Sequence, residues 1–257
     1  MDAKEPYVTR STYLTYENTF KHVFRFLKLN YQISKDSQTD FQRYIAHRFK
    51  TSSIYQVRKD TINLNAFFKY WNIKIRLKKP TTPEKLPKYF LPEHLEKLFS
   101  TPCHNLIVYQ MAVIARYTGM RLTEIMELRW SDIQNGNVIL GNRNYVTKSK
   151  KTRIIPIHPN LQELFDSMEK TSDRLFTIET KTPKNWMNGK FKVWLKSAGV
   201  PSHYSFHCLR HTVASQLVQS NVSIYTVATI LGHSSVQTTQ IYAKLNTNAL
   251  NNAILKL

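Results

Sequence analysis

Apolar residues recur three and four positions apart in two stretches near the start of the chain. Phe20, Val23, Phe24, Leu27 and Tyr31 make the first stripe, and Ile54, Val57, Thr61, Leu64, Phe68 and Trp71 make the second. That spacing gathers each set on one face of an α-helix, with a shorter helix predicted over Asp40–His47 and a loose tail over residues 1–12. The positions off the stripes are basic: Lys21, Arg25 and Lys28 in the first helix, Arg58 and Lys59 in the second. A small helical bundle with charged outer faces follows from this pattern.

From Asn72 to Lys88 the chain is polar and basic, and Lys78-Lys79-Pro80-Thr81-Thr82-Pro83 disfavours helix. A linker over 76–83 therefore divides residues 1–75 from residues 84–257. Beyond it, Pro92 suits the first turn of a helix to about Phe99, and a second helix from about Leu106 stops at Gly119, a residue suited to a left-handed cap. Thr123 is placed to cap the next helix, and Glu124 in its first turn favours the helix dipole and stands beside Arg121, which it can orient. Short β-rich runs follow at Val138–Leu140, Asn144–Val146 and Arg153–Ile155, the last two separated by a basic turn. Asn160 with Glu163 resembles a capping box, a later helix carries Phe191, Trp194 and Leu195, and Ser205 caps another. A last apolar stripe, Ala249, Leu250, Ala253, Ile254 and Leu257, predicts a helical tail over Asn248–Leu257. The expected fold is mainly α with a small antiparallel β-sheet, in two domains.

Charge narrows the function. The net charge of +20 is spread over both halves of the chain. An excess of that size implies a polyanionic partner, of which nucleic acid is the usual one. Two cysteines, Cys103 and Cys208, give no disulfide framework and fit a reducing compartment. With no apolar run near the length of a membrane span and a polar start to the chain, a cytoplasmic protein without membrane contact is expected.

Candidate chemistry collects toward the end. His207 and Arg210 lie three apart in a predicted helix and so share a face, followed by Leu231-Gly232-His233 and by Thr238-Thr239-Gln240-Ile241-Tyr242. A tyrosine phenol is a poor nucleophile at neutral pH. It needs a nearby base, and cations that draw charge onto the non-bridging oxygens of a phosphate, for which planar arginine forks are suited. A metal site built on His207, His211 and Cys208 is the weaker reading, because Arg210 would set a cation against the metal.

These segments, with Tyr117-Thr118-Gly119-Met120-Arg121-Leu122-Thr123-Glu124 and Val146-Thr147-Lys148-Ser149-Lys150-Lys151-Thr152-Arg153-Ile154-Ile155-Pro156 upstream, resemble the tyrosine recombinases, the group of phage integrases and Xer-type resolvases. All the motif boxes stand in the family's order. The resemblance implies a SAM-like core-binding domain ahead of a catalytic domain, and a site-specific recombinase that cleaves and rejoins DNA through a 3′-phosphotyrosyl intermediate. It gives Tyr242 as nucleophile and Arg121 and Arg210 as phosphate clamps. His207 is the group that takes the tyrosine proton or binds the phosphate, and His233 is a second imidazole donor. Counting back from Pro156 against the family pattern selects Lys148 as the acid that protonates the leaving 5′ oxygen. Lys150, Lys151 and Arg153 are then expected on DNA, as are Lys21, Arg25, Lys28, Arg58, Lys59, Lys78 and Lys79 by their charge. Cys208 and His211 are expected to pack or support. No cofactor is implied. The implied partners are double-stranded DNA with specific recombination sites and further copies of the chain in a synaptic tetramer, with room for accessory DNA-bending proteins. In that assembly the tail docks on its own domain or on a neighbour. The alternatives are relaxation of DNA in the manner of a type IB topoisomerase, and sequence-specific binding without cleavage.

Overall fold

The computed structural model describes residues 9–28, 32–33, 37–141 and 152–244, and the chain divides into two compact units at Lys85 and Leu86. The expected strand at 144–146, the turn carrying Lys148, Lys150 and Lys151, and the tail stripe of 248–257 lie outside the described residues.

The first unit packs three helices, α1 (Arg10–Leu27), α2 (Ser37–Thr51) and α3 (Ile54–Tyr70). The first helix begins within the stretch expected as tail, because the Thr9 side chain accepts a hydrogen bond from the Thr12 backbone N–H and caps it. Phe20, Val23, Val57, Leu64 and Phe68 of the two sequence stripes form the core with Phe41 and Tyr44 of α2, whereas Phe24 and Trp71, expected in the same stripes, are exposed at the edges of the three-helix packing. Among the core residues sits the buried carboxylate of Asp60. It takes hydrogen bonds from Arg48 Nε (2.9 Å), Gln56 Nε2 (2.8 Å) and Thr19 Oγ1 (3.2 Å), so one charge ties all three helices together. The segment expected as a linker runs along α3: Leu77 is buried, and the Asn65 side chain exchanges two hydrogen bonds with its backbone.

The second unit holds α4 (Pro92–Ser100), α5 (Leu106–Thr118), α6 (Leu122–Met126), a sheet of β1 (Ile133–Gln134), β2 (Asn137–Leu140) and β3 (Arg153–Pro156), then α7 (Pro159–Ser167), α8 (Pro183–Ser197), α9 (Phe206–Gln219), α10 (Ile224–Leu231) and α11 (Gln237–Ala243). The sheet order is β1-β2-β3 and every pairing is antiparallel, with Val138 opposite Ile155 and Leu140 opposite Arg153. Nearly every side of α5 is buried, which is why its sequence shows a run of apolar residues rather than a stripe. It packs on α9, whose far side forms a second cluster with α10 and α11 through Ala214, Val218, Val227, Leu231 and Tyr242. Among the described residues, no helix is long and apolar enough to cross a membrane.

Candidate active site

Two chain turns and a helix meet around Arg210 of α9. The first is the end of α5, where Gly119 takes the left-handed conformation (φ 63°) and Arg121 follows as the N-cap of α6. Thr123 does not cap that helix. Its place is taken by Arg121, whose backbone N–H donates to Glu124 Oε2 at 2.8 Å, because the chain turns into the helix two residues earlier than the threonine suggested. The second turn is the end of α10, where Gly232 is also left-handed (φ 65°) and His233 comes next. The helix is α11, which carries Tyr242.

Arg210 joins the two turns. Its guanidinium donates to the Gly119 carbonyl and to the Leu231 carbonyl, each at 2.7 Å, and the residue is 3% exposed. Both acceptors lie at helix C-termini, where carbonyls lack partners within the helix and the dipole favours a cation. Burial, and then the neighbouring Arg121, bring its pKa down to about 9. Arg121 reaches the same turn from the other side, donating to the Gly232 carbonyl at 3.2 Å and to Glu124 Oε1 at 2.9 Å.

Glu124 is where the structure corrects the sequence reading most. Arg153 was expected on DNA. It is instead 5% exposed and grips Glu124 with two parallel bonds, Nη2 to Oε2 at 2.7 Å and Nη1 to Oε1 at 3.2 Å. The alternation along β3 explains this, since Arg153 and Ile155 point inward and Ile154 and Pro156 outward. Period-two reading of the strand was the signal that could have placed it. Burial acts to raise the Glu124 carboxyl, but the Arg153 hydrogen bonds and charge, and then the Arg121 N–H and charge, bring it down to about 2. One carboxylate thus orients Arg121 and anchors the strand that leads out of the hairpin.

The histidines lie around this core. His233 Nδ1 is 2.7 Å from Thr239 Oγ1, which fixes the ring to α11. Burial first, then Arg210 and Arg121, lower its pKa to about 4. His207 stands one turn before His211 with the rings edge to face, centroids 4.7 Å apart, and is held below its ordinary value by burial, Arg210 and Arg121. Tyr242 is 2% exposed, and its hydroxyl lies 2.5 Å from His211 Nδ1. The imidazole on the phenol is therefore His211, which the sequence reading assigned to packing or support, and not His207. Burial pushes the Tyr242 phenol up to about 12 although Arg210 pulls the other way.

Arg121, His207, Arg210, His233 and Tyr242 thus share one neighbourhood, with Glu124 behind it. Of the residues expected on DNA, Lys21, Arg25, Lys28, Lys59, Lys78 and Lys79 are exposed, and Lys21 pairs with Glu17 at 2.8 Å. The guanidinium of Arg58 is turned to the Pro80 carbonyl at 2.6 Å. Lys148, Lys150 and Lys151 lie outside the described residues.

A helical unit whose two arginines, histidines and tyrosine meet in this way has the makings of a phosphoryl-transfer site, and comparison with known proteins names its class. Residues 88–249 match the phage integrase family model. The chain belongs to the phage integrase family, the tyrosine recombinases, enzymes that break and rejoin DNA. It is 30% identical over 264 residues to the tyrosine recombinase XerA of Pyrococcus furiosus, spanning 95% of this chain and 91% of that protein. It is 26% identical over 264 residues to a tyrosine recombinase of Pseudothermotoga lettingae, spanning 96% and 91%. The fold resembles that of the XerH site-specific recombinase bound to palindromic difH substrate in a post-cleavage complex, with TM-score 0.77 and 20% identity, covering 94% of this chain and 78% of that one. It also resembles a lambda integrase dimer bound to a COC′ core site, with TM-score 0.72 and 18% identity, covering 93% and 73%.

Proposed function

We propose that this chain is a site-specific DNA recombinase, acting in the cytoplasm as a tetramer on two DNA sites through a 3′-phosphotyrosyl intermediate. The observation that carries the reading is the meeting of Arg121, Arg210 and His233 at the Gly119 and Gly232 turns, with Tyr242 on the adjoining helix. Double-stranded DNA is the partner, a reading supported by the charge of +20 and by the DNA complexes of the XerH and lambda integrase neighbours. The two guanidinium groups bind the non-bridging oxygens of the scissile phosphate and stabilise the charge that grows there during attack. The Tyr242 phenol gives its proton to His207, and its oxygen forms a bond to phosphorus as the bond from phosphorus to the 5′ oxygen breaks. Lys148 gives the departing oxygen its proton, and His233 donates to the phosphate. The reverse steps join a different 5′ hydroxyl, so the energy of the broken bond is kept.

The test starts from the DNA flanking the gene. Nicked duplex fragments of it, which lose the 5′ strand after cleavage, should trap a covalent protein–DNA adduct whose 3′ end marks the site. Tyr242→Phe should bind the recovered duplex as before and form no adduct, and an adduct surviving in that variant would move the nucleophile elsewhere. Two recovered sites bridged by four protomers in analytical ultracentrifugation would bear out the tetramer.

A further inference from the structure

His211 is absorbed by none of the roles above, yet it makes the only hydrogen bond to the Tyr242 hydroxyl among the described residues. We propose that His211 is a positioning residue, which accepts the phenol proton in a hydrogen bond at Nδ1 and so aims the oxygen lone pairs of Tyr242 away from α9. The proposal rests on the reading of Tyr242 as the nucleophile.

Three features support it. The tyrosine ring is already fixed, packed in the cluster of Ala214, Val218, Val227 and Leu231, so the direction of the hydroxyl is the freedom left to control. A partner that donated would occupy a lone pair and blunt the oxygen. A partner that accepts leaves both lone pairs for phosphorus. His211 also sits on a rigid support, because the next residue back, Arg210, locks α9 to the ends of α5 and α10. A side chain held this way keeps its position to the fraction of an ångström that attack geometry needs.

Proton affinity separates positioning from base catalysis. Burial, His207 and Arg210 hold the His211 imidazole down to about 4, while burial pushes the phenol up to about 12. With that gap the proton stays on the tyrosine, and His211 is neutral at neutral pH. It works as a fixed hydrogen-bond acceptor, and the phenol proton passes to His207 when phosphorus is attacked.

The experiment compares His211→Phe, which keeps a ring and removes the acceptor, with His211→Asn, whose side-chain oxygen lies where Nδ1 does. If Phe is not tolerated, His211→Leu replaces it. Adduct formation on the nicked duplex is followed at saturating protein, with affinity measured separately. The Phe variant should form adduct about 100-fold more slowly at unchanged affinity, the scale of a nucleophile misplaced by about 1 Å. The Asn variant should return to within about three-fold of wild type. Wild-type rates in both variants would overturn the proposal. So would an Asn variant as slow as Phe whose rate rises with added imidazole, since that would make His211 the base. Failure of the underlying reading shows elsewhere, as an adduct that persists in Tyr242→Phe.

Discussion

Glu124 serves Arg121 and Arg153 with two oxygens, and it does so in a place where water cannot substitute. Removing one partner of such a pair leaves a buried charge under-compensated, which costs about 3–5 kcal/mol. Arg153→Ala should therefore lower the urea-unfolding free energy by about that much, whereas a DNA-contact role would leave stability near wild type. Protonation gives a second residue-scale prediction. His211 and His233 are held neutral, with folded values near 4 against an ordinary 6.5. As pH falls from 6.5 toward 4, the unfolded chain takes up protons that the folded one refuses. The stability these residues contribute is thus whole above about 6.5 and is lost by about 4. His233→Asn should reduce the slope of unfolding free energy against pH in that window by one proton. The sequence made Arg121, Arg210 and Tyr242 legible through spacing, because a helix face and a motif order survive without coordinates. His211 was not legible: which of two histidines one turn apart meets a tyrosine on another helix depends on how the helices pack.

Among the elements, helix ends decide the most. The left-handed glycines that end α5 and α10 are both crowded, and a Cβ on Gly232 would fall on the Arg153 guanidinium, within 2.9 Å of Cδ and Cζ. Gly232→Ala should cost about 3 kcal/mol or more, combining backbone strain with overpacking. Gly136, at φ 69° with nothing within 4 Å of such a Cβ, isolates the strain alone. Gly136→Ala should cost about 1 kcal/mol, and equal losses in the two variants would show that contact with Arg153 does not matter. The helix stop at Gly119 and the strands β2 and β3 were readable from glycine and β-branched residues, whereas β1 and the direct pairing of β2 with β3 were not. Helix starts were less readable than stops. Expected caps at Thr123 and Asn160 proved to be Arg121 and His158, since capping depends on where the backbone first turns and several polar residues compete within two positions.

In the whole molecule, separate apolar clusters serve the two units. Residues 86–257 made alone should melt in one cooperative transition. Because exposed Lys21, Arg25, Lys28, Lys59, Lys78 and Lys79 all lie in the first unit, that fragment should also show a shallower dependence of DNA affinity on salt than the full chain. An unchanged slope would confine phosphate contacts to the second unit.

The two carbonyls that hold Arg210 have a thermodynamic consequence. They fix the guanidinium without cancelling its charge, and Arg121 adds a second cation that the single charge of Glu124 also shares with Arg153. The fold therefore stores like-charge repulsion that a small divalent anion can discharge, and any anion that binds only the folded chain raises its melting temperature. Sulfate at constant ionic strength should raise Tm, and Arg210→Ala should lose most of that rise. If so, grip on the phosphate and resistance to heat are one quantity read on two instruments, and a thermal melt with sulfate would rank active-site variants before any DNA site is known.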